Sequence, residues 1–227
     1  MISSYRFIPI RLLLVAGLIL SSCASFEPGL RLQELQRPRN PTAKASREGL
    51  EISVEEFIST AKSQMMFDTD IASQGLLAFL VRVENAGTEK YVARRSDMRA
   101  LLNGQSLVPL SARDAANQAA TSEYVAKALG WTIAAGPFAI LLWPVTIGAS
   151  AVHTHGVNKR IEQYFEASSY QDALLSPKQN AVGFIYFKLP DGVKSLDNLT
   201  VEAEAVGDGS GRKLSYKFDL PSMPLPK

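Results

Sequence analysis

The sequence predicts a mainly β fold, an antiparallel β-sandwich of about seven or eight strands interrupted by an apolar helical hairpin that is rich in small residues. Three observations lead to this prediction. Short stretches with a hydrophobic period of two lie on both sides of the middle of the chain, turn dipeptides separate them, and the middle itself has a helical period. We therefore expect the sandwich from residues 50–111 and 172–221, and the hairpin from residues 112–171.

The first group of strands begins at Leu50, where the string LEISVE alternates apolar and polar residues. The next stretch, GLLAFLVRVENAG, places residues 77, 79, 81 and 83 on one face and closes at the turn signal of residues 85–87. Further along, Asn103-Gly104 is the dipeptide that most strongly favours a two-residue hairpin. Four or five short strands are expected before residue 111.

The second group follows the middle of the chain. It consists of the strings AVGFIYFKLP, NLTVEAEAV and RKLSYKFDL, and the glycines of residues 207–211 predict a turn between the last two. Residues 222–227 form a proline-rich tail. Short strands at this spacing are typical of an antiparallel sandwich.

The first 22 residues have the order of a secretory signal. Arg6 and Arg11 form a positive flank, and an apolar core of nine residues runs from Leu12 to Leu20. A membrane-spanning helix needs about 20 apolar residues, so the length favours a segment that is cleaved rather than one that stays in the membrane.

The string Leu20-Ser21-Ser22-Cys23 resembles the lipobox of bacterial lipoproteins. The resemblance implies that Cys23 is acylated and that membrane lipid is its first partner. Cys23 is the only cysteine in the chain, so no disulfide can form within the molecule. In lipoproteins of bacteria with two membranes, an aspartate after the cysteine favours retention in the inner membrane. Ala24 stands there and favours the periplasmic face of the outer membrane.

Residues 23–49 carry Pro28, Pro38 and Pro41 among charged residues and have no sustained period, which predicts a flexible tether with room for a short helix around residues 30–36. A coil of this length reaches about 28 Å. Removal of Arg6 and Arg11 with the signal leaves 22 basic residues against 22 acidic ones. A neutral chain without a basic run has no electrostatic footprint for nucleic acid.

Two long strings, VRVENAGTEKYVARRSDMRALLNGQSLVPLS and LLSPKQNAVGFIYFKLPDGVKSLDNLTVEA, resemble the immunoglobulin-like, telokin-type domains of uncharacterised bacterial lipoproteins. The shared features are a strand that ends in asparagine, a strand that ends in L..G, and a later P....GF..F..P strand. The resemblance covers residues 50–111 and 172–220 and implies no catalytic residues. The insertion between the two parts departs from the family pattern.

Within the insertion, residues 128–158 contain no Asp, Glu, Lys or Arg, a run of 31 residues. A single membrane crossing would place the two halves of the sandwich on opposite sides, whereas a hairpin keeps them together. Gly136-Pro137 and Trp143-Pro144 can break the helix. Each apolar arm of eight residues spans about 12 Å, too short to cross a bilayer core of about 30 Å. The hairpin tip predicted to contact a membrane or a partner consists of Phe138, Ile140, Leu141, Leu142 and Trp143.

Small residues at helical spacing predict that the arms pair closely. These are Ala126, Gly130, Ala134, Gly148 and Gly156, and Ala112, Ala116 and Ala120 continue the pattern. Three interpretations follow. The tip inserts into a membrane or into the apolar groove of a partner, the helices pack on the protein's own sandwich, or hairpins from several copies form a homo-oligomer.

No candidate chemistry stands out. His153 and His155 would point apart on a helix, so we predict no metal site there. Asp68 and Asp70 lack the other ligands of a calcium loop, and a turn or cap role is expected instead. The motifs of phosphate, dinucleotide and serine-nucleophile sites are absent. We expect neither a cofactor nor enzymatic activity.

The sequence therefore predicts a non-catalytic, membrane-anchored lipoprotein of the cell envelope. It would bind or scaffold other envelope components, through the hairpin or through a sheet edge. The alternative is a periplasmic carrier that holds a small apolar or lipid ligand between the hairpin and the sheet.

Overall fold

A computed structural model describes residues 32–35, 39–120 and 159–225 of the chain. The described part is mainly β, and its paired strands are antiparallel, as the sequence predicts. The strands are β1 (Ala43–Arg47), β2 (Leu50–Glu56), β3 (Leu76–Asn85), β4 (Tyr91–Leu102), β5 (Gln105–Ser106), β6 (Pro109–Leu110), β7 (Ala173–Leu175), β8 (Asn180–Lys188), β9 (Ser195–Leu196), β10 (Leu199–Gly207), β11 (Lys213–Asp219) and β12 (Met223–Pro224). One sheet has the order β1-β2-β3-β8-β6. The other has the order β11-β10-β4-β5 with β7 also paired to β4, and β9 pairs with β12.

The two large sheets share one apolar core. Alternate residues of β2 and β3 from the first sheet and of β4, β10 and β11 from the second are buried in the same cluster. Strand β10 shows the pattern clearly, because Val201, Ala203 and Ala205 are buried while Glu202 and Glu204 are half-exposed. At these residues of β10 the outer face of the second sheet is polar, as in a sheet with one solvated side.

The outer face of the first sheet is covered by helices, which we call the helical layer. This layer comprises helical residues 32–35, the helix α1 (Thr60–Phe67), and the helical segments 112–120 and 159–168. Their apolar residues form a second core with Leu76, Ala78 and Leu80 of β3 and Phe184 and Tyr186 of β8. Strands β3 and β8 are consequently buried on both faces, which explains their nearly unbroken apolar sequences.

Helix α1 has a cap at each end. The Lys62 N–H donates to the Ser59 hydroxyl at 3.4 Å, and Asp68 ends the helix in the left-handed conformation with φ 59°. Asp70 accepts from the Thr60 hydroxyl at 2.9 Å. The predicted turn or cap roles of Asp68 and Asp70 are confirmed, although the sequence did not reveal the helix that ends at Asp68.

Two predicted turns are also confirmed. At Asn103 and Gly104 both φ angles are positive, at 52° and 78°, and the flanking residues Leu102 and Gln105 pair across the hairpin. The Gly207 N–H donates to the Arg212 carbonyl oxygen at 2.9 Å and closes the turn between β10 and β11.

The predicted tether of residues 23–49 is wrong at its C-terminal boundary. Residues Ala43–Arg47 form β1 and pair with β2 from Ala43 opposite Val54 to Arg47 opposite Leu50. The strand escaped prediction because its inward residues, Ala43 and Ala45, are small and give a weak hydrophobic period. Backbone pairing with β2 therefore stabilises β1, although the sequence of β1 alone does not indicate a strand.

Candidate functional site

The insertion leaves the first sheet and returns to it at neighbouring positions. Leu110, the last residue of β6, pairs with Tyr186 of β8, and Ser169 forms a bridge to Phe184 of the same strand. Two residues along a strand span about 7 Å. Both ends of the insertion therefore lie on one edge of β8 and on one side of the molecule.

Gly183 is required for the return. The Tyr170 N–H donates to the Phe184 carbonyl oxygen at 2.9 Å, which brings the backbone at Tyr170 against β8. A Cβ atom at Gly183 would lie 2.5 Å from both the Tyr170 Cα and N atoms. Only a residue without a side chain allows this close approach.

The outgoing segment, residues 112–120, packs on the sheet through small side chains. Ser111 caps it, since its hydroxyl accepts from the Asp114 N–H at 3.0 Å. The Gln118 amide donates to the carbonyl oxygens of Gln74 and Gly75 at 2.7 and 3.0 Å. The buried residues that face the sheet are Ala115, Ala116, Ala119 and Ala120, with Ala112 partly buried beside them. Alanines let this helical segment lie close to the strands.

The returning segment, residues 159–168, packs through larger side chains. The Phe165 ring lies 5.3 Å from that of Phe67 and 5.1 Å from that of Tyr186, measured between ring centroids. An ion pair of 3.1 Å between Arg113 Nε and Glu162 Oε1 joins the two segments. Because the Arg113 side chain is largely exposed, this pair contributes little stability. Aromatic packing is what holds the returning segment.

Tyr186 lies beneath the end of the returning segment. Its hydroxyl is 3.2 Å from that of Ser168, and both side chains are buried. Burial raises the pKa of Tyr186 well above its usual value, and the hydrogen bond with Ser168 opposes that rise. The tyrosine therefore stays neutral in the folded protein.

We expect Tyr186 to make this contact sensitive to alkaline pH. Because the folded pKa is raised, the stabilisation by Tyr186 is complete below pH about 10 and is lost as the pH rises above that value. The wild-type chain should exceed Tyr186→Phe in stability by about 1 kcal/mol near neutrality. Urea unfolding of both proteins from pH 8 to 11 should show this difference shrinking above pH 10. A difference that does not change with pH would contradict the prediction, since the other buried tyrosines are common to both proteins.

The predicted tip and pairing residues lie outside the described residues. These are Phe138, Ile140, Leu141, Leu142 and Trp143 of the tip and Ala126, Gly130, Ala134, Gly148 and Gly156 of the arms, together with Cys23, His153 and His155. Sequence reasoning missed the residues that fasten the insertion to the sheet, above all Gln118, Tyr170 and Gly183. The glycine within an apolar strand was the one available signal, because such a glycine often marks a close backbone approach.

Two other features of the described residues bear on metal or ligand binding. Among the described residues, no three His, Cys, Asp or Glu side chains are grouped so that they could hold a metal ion. An open groove of about 570 Å³ runs along the polar side of the second sheet and is lined by Asp197, Thr200, Glu202 and Asp219 among others. Hydrogen bonds from the Ser195 and Ser222 hydroxyls lower the pKa of Asp197. The Asp197 carboxylate therefore has its hydrogen-bond donors within the protein itself, from Ser195 and Ser222.

Comparisons with known proteins identify no family for the chain. No family model matches the chain. No curated protein matches it either. The crystal structure at 2.62 Å of ycdA, "a putative lipoprotein" from Bacillus subtilis, aligns with 80% of this chain at 10% sequence identity and a TM-score of 0.36. The chain spans only 39% of that protein's length. At this similarity the likeness assigns neither a family nor a function. In the described segments, no helix is both long enough and apolar enough to span a membrane.

Proposed function

We propose that the protein is a non-catalytic lipoprotein of the bacterial envelope, anchored through acylated Cys23 at the periplasmic face of the outer membrane. Its domain is an immunoglobulin-like sandwich, and it binds or scaffolds other envelope components through the tip of its inserted hairpin. The lipobox string ending at Cys23 and the uncharged run of residues 128–158 support the two contacts with the envelope.

The adjacency of the two ends of the insertion supports this proposal most directly. Leu110 and Ser169 meet β8 two residues apart, so the two ends of the insertion leave and rejoin the domain on one side. The outgoing and returning segments are fixed to the sheet. A long uncharged segment held in this way can present apolar side chains to a membrane or to a partner without separating the two halves of the fold.

The alternative function, a carrier of an apolar ligand, has less support. A carrier needs an apolar cavity of several hundred Å³ between the helices and the sheet. In the described part of that layer, rings from both sides are in contact, with centroids between 5.0 and 6.4 Å apart. The groove of about 570 Å³ lies on the other sheet, is open to solvent, and has a mixed lining of polar and apolar residues.

The tip contact is tested with the mature chain carrying Cys23→Ser, which removes the anchor. We expect this chain to float with vesicles of phosphatidylethanolamine and phosphatidylglycerol. The double variant Leu141→Asp with Leu142→Asp should reduce the bound fraction at least tenfold. Two buried charges oppose entry into the apolar region of a bilayer. A matched control replaces two exposed apolar residues elsewhere, Val108 (61% exposed) and Leu174 (53% exposed), with Asp.

Equal binding by the tip variant and the control would exclude insertion into the membrane. Binding to a protein is then tested in cells with the acylated chain, by placing a photo-crosslinking residue at Trp143 or, as a control, at Ser215 on the outer face of the second sheet. A discrete adduct from Trp143 alone supports a partner, an adduct with a second copy identifies an oligomer, and equal adducts from both positions oppose the proposed tip contact.

A further inference from the structure

The chain just before β1 is fastened to the helical layer. Leu35 is only 4% exposed and belongs to the core beneath that layer, and Leu32 packs against the same core. The Arg82 guanidinium, which projects from β3, donates to the Leu35 carbonyl oxygen at 3.3 Å. We call residues 32–35 together with Arg39 the N-terminal strap.

Arg39 provides the second attachment of the strap. Its guanidinium lies 5.3 Å above the Phe57 ring centroid and 3.7 Å from a Glu55 carboxylate oxygen. Both side chains of this ion pair are mostly buried, so the solvent screens the pair less than it screens an exposed one. The same Glu55 oxygen is 3.6 Å from Lys62 of α1. The strap is therefore joined to both the first sheet and a helix of the layer.

The strap shortens the connection between the lipid and the domain. Only residues 24–31 separate Cys23 from Leu32. A flexible chain of this length has a root-mean-square reach of about 17 Å, and its fully extended limit is about 31 Å. The predicted tether to residue 49 would allow about 28 Å and a far longer limit. A short connection that starts in the helical layer restricts which side of the domain can approach the bilayer.

We infer that the helical layer is the bilayer-facing side of the protein, held there by the N-terminal strap, and that the outer face of the second sheet points away from the lipid. This inference rests on the acylation of Cys23 in the proposed function and does not depend on insertion of the tip. The outer face of the second sheet carries the charged side chains of Glu202, Glu204, Lys213 and Lys217, which favour water over lipid.

The absence of any cysteine other than Cys23 makes the orientation measurable. Acylated protein carrying one new cysteine at a small, exposed residue is labelled with a fluorescent donor and reconstituted into vesicles of phosphatidylethanolamine and phosphatidylglycerol that contain a headgroup acceptor. Ala61→Cys and Ala167→Cys report on the helical layer, and Ser215→Cys reports on the opposite face. Since the layers of the fold are about 10 Å apart, the two faces differ by roughly 20 Å in distance from the lipid. We expect at least twofold higher energy transfer from both positions on the helical layer.

Two variants separate this inference from the proposed function. Arg82→Met with Leu35→Ser, which releases the strap, should remove most of the difference between the faces. Leu141→Asp with Leu142→Asp, which disables the tip, should leave the difference in place. Circular dichroism and urea midpoints of the soluble chains verify that both variants fold.

Equal transfer from the three positions in acylated, vesicle-bound protein would overturn the orientation and leave the anchor intact. Loss of the difference in the tip variant with retention in the strap variant would also overturn it, because the tip would then orient the domain. If mass spectrometry finds no acyl chains on Cys23, the proposed function itself fails.

Discussion

Replacing Gly183 with alanine is expected to lower the free energy of unfolding by about 3 kcal/mol, the upper end of what overpacking usually costs. The new Cβ would lie 2.5 Å from the Tyr170 Cα and N atoms, and backbone atoms cannot rotate away as the end of a side chain can. Either β8 must shift within a sheet that is buried on both faces, or Tyr170 must leave it. We expect Tyr170 to leave, which detaches the returning segment and exposes Phe165.

The measurement is urea unfolding together with limited proteolysis. Gly209→Ala is the matched control, because a Cβ at Gly209 meets nothing within 4 Å and its backbone needs no positive φ. The variant at Gly183 should lose several-fold in protease resistance within residues 159–168 while the control behaves like the wild-type protein. Equal urea midpoints for the two variants would show that Tyr170 does not approach β8 as described.

Replacing Asn85 with alanine is expected to destabilise the fold by about 3 kcal/mol as well. This fully buried amide donates to the carbonyl oxygens of Glu89 at 2.7 Å and Leu175 at 3.0 Å, and its oxygen accepts from the Gly87 N–H at 3.0 Å. Truncation removes all three hydrogen bonds, and the bond to the Leu175 carbonyl oxygen is lost in a buried site. The contact with Leu175 spans 90 residues and ties the end of β3 to β7, the first strand after the insertion.

Asn85→Asp makes the test more specific, because it keeps the shape of the side chain and removes both donated hydrogen bonds. A carboxylate facing two carbonyl oxygens should destabilise the protein at least as much as alanine does. Asn180→Ala, at the exposed start of β8, serves as the control and should change the unfolding free energy by less than about 0.5 kcal/mol. If Asn85→Asp were as stable as the wild type, the amide would not make the bonds described.

The sequence predicts the strands whose apolar residues alternate strongly, and it predicts the turns whose residues have a direct conformational cause. Leu50, Ile52 and Val54 occupy one buried face of β2, and Asn103-Gly104 forms the expected hairpin. In both cases the deciding interaction is local, so a short window of sequence contains it.

The sequence predicts helices within residues 112–171 and allows one around residues 30–36, with packing on the sandwich as one of three arrangements. Helix α1 and the burial of both faces of β3 were not predicted, because their causes are tertiary. The expectation for β3 placed residues 77, 79, 81 and 83 on a single buried face, yet Leu76, Ala78 and Leu80 on the other face are buried too. The apolar run GLLAFLV is compatible with both arrangements, and only the helices that cover it decide between them. Helix α1 is eight residues long and has almost no amphipathic period, so it gave no signal of its own.

The candidate site was predictable in position and not in detail. The change of period marks residues 112–171, and the structure shows helical segments at both ends of this range. The role of the apolar tip stays a prediction. The contacts that fix the outgoing segment join residues far apart in the chain, since Gln118 bonds to Gln74 and Gly75 at separations of 44 and 43 positions. The Arg82–Leu35 contact of the N-terminal strap spans 47 positions. The spacing of residues in the sequence cannot reveal such pairs, because the two residues of each pair come together only when the chain folds.

The meeting of Leu110 and Ser169 beside β8 also makes the insertion a closed loop whose ends are fixed by the sheet. The entropic cost of connecting two fixed points grows only with the logarithm of the number of residues between them, so doubling that number adds about 0.6 kcal/mol. Residues can therefore be gained or lost beyond the two helical segments at little cost to folding. We expect chains related by descent to differ in length here more than anywhere else in the domain. Such changes would alter how far the insertion extends toward a partner and would leave the sheets unchanged.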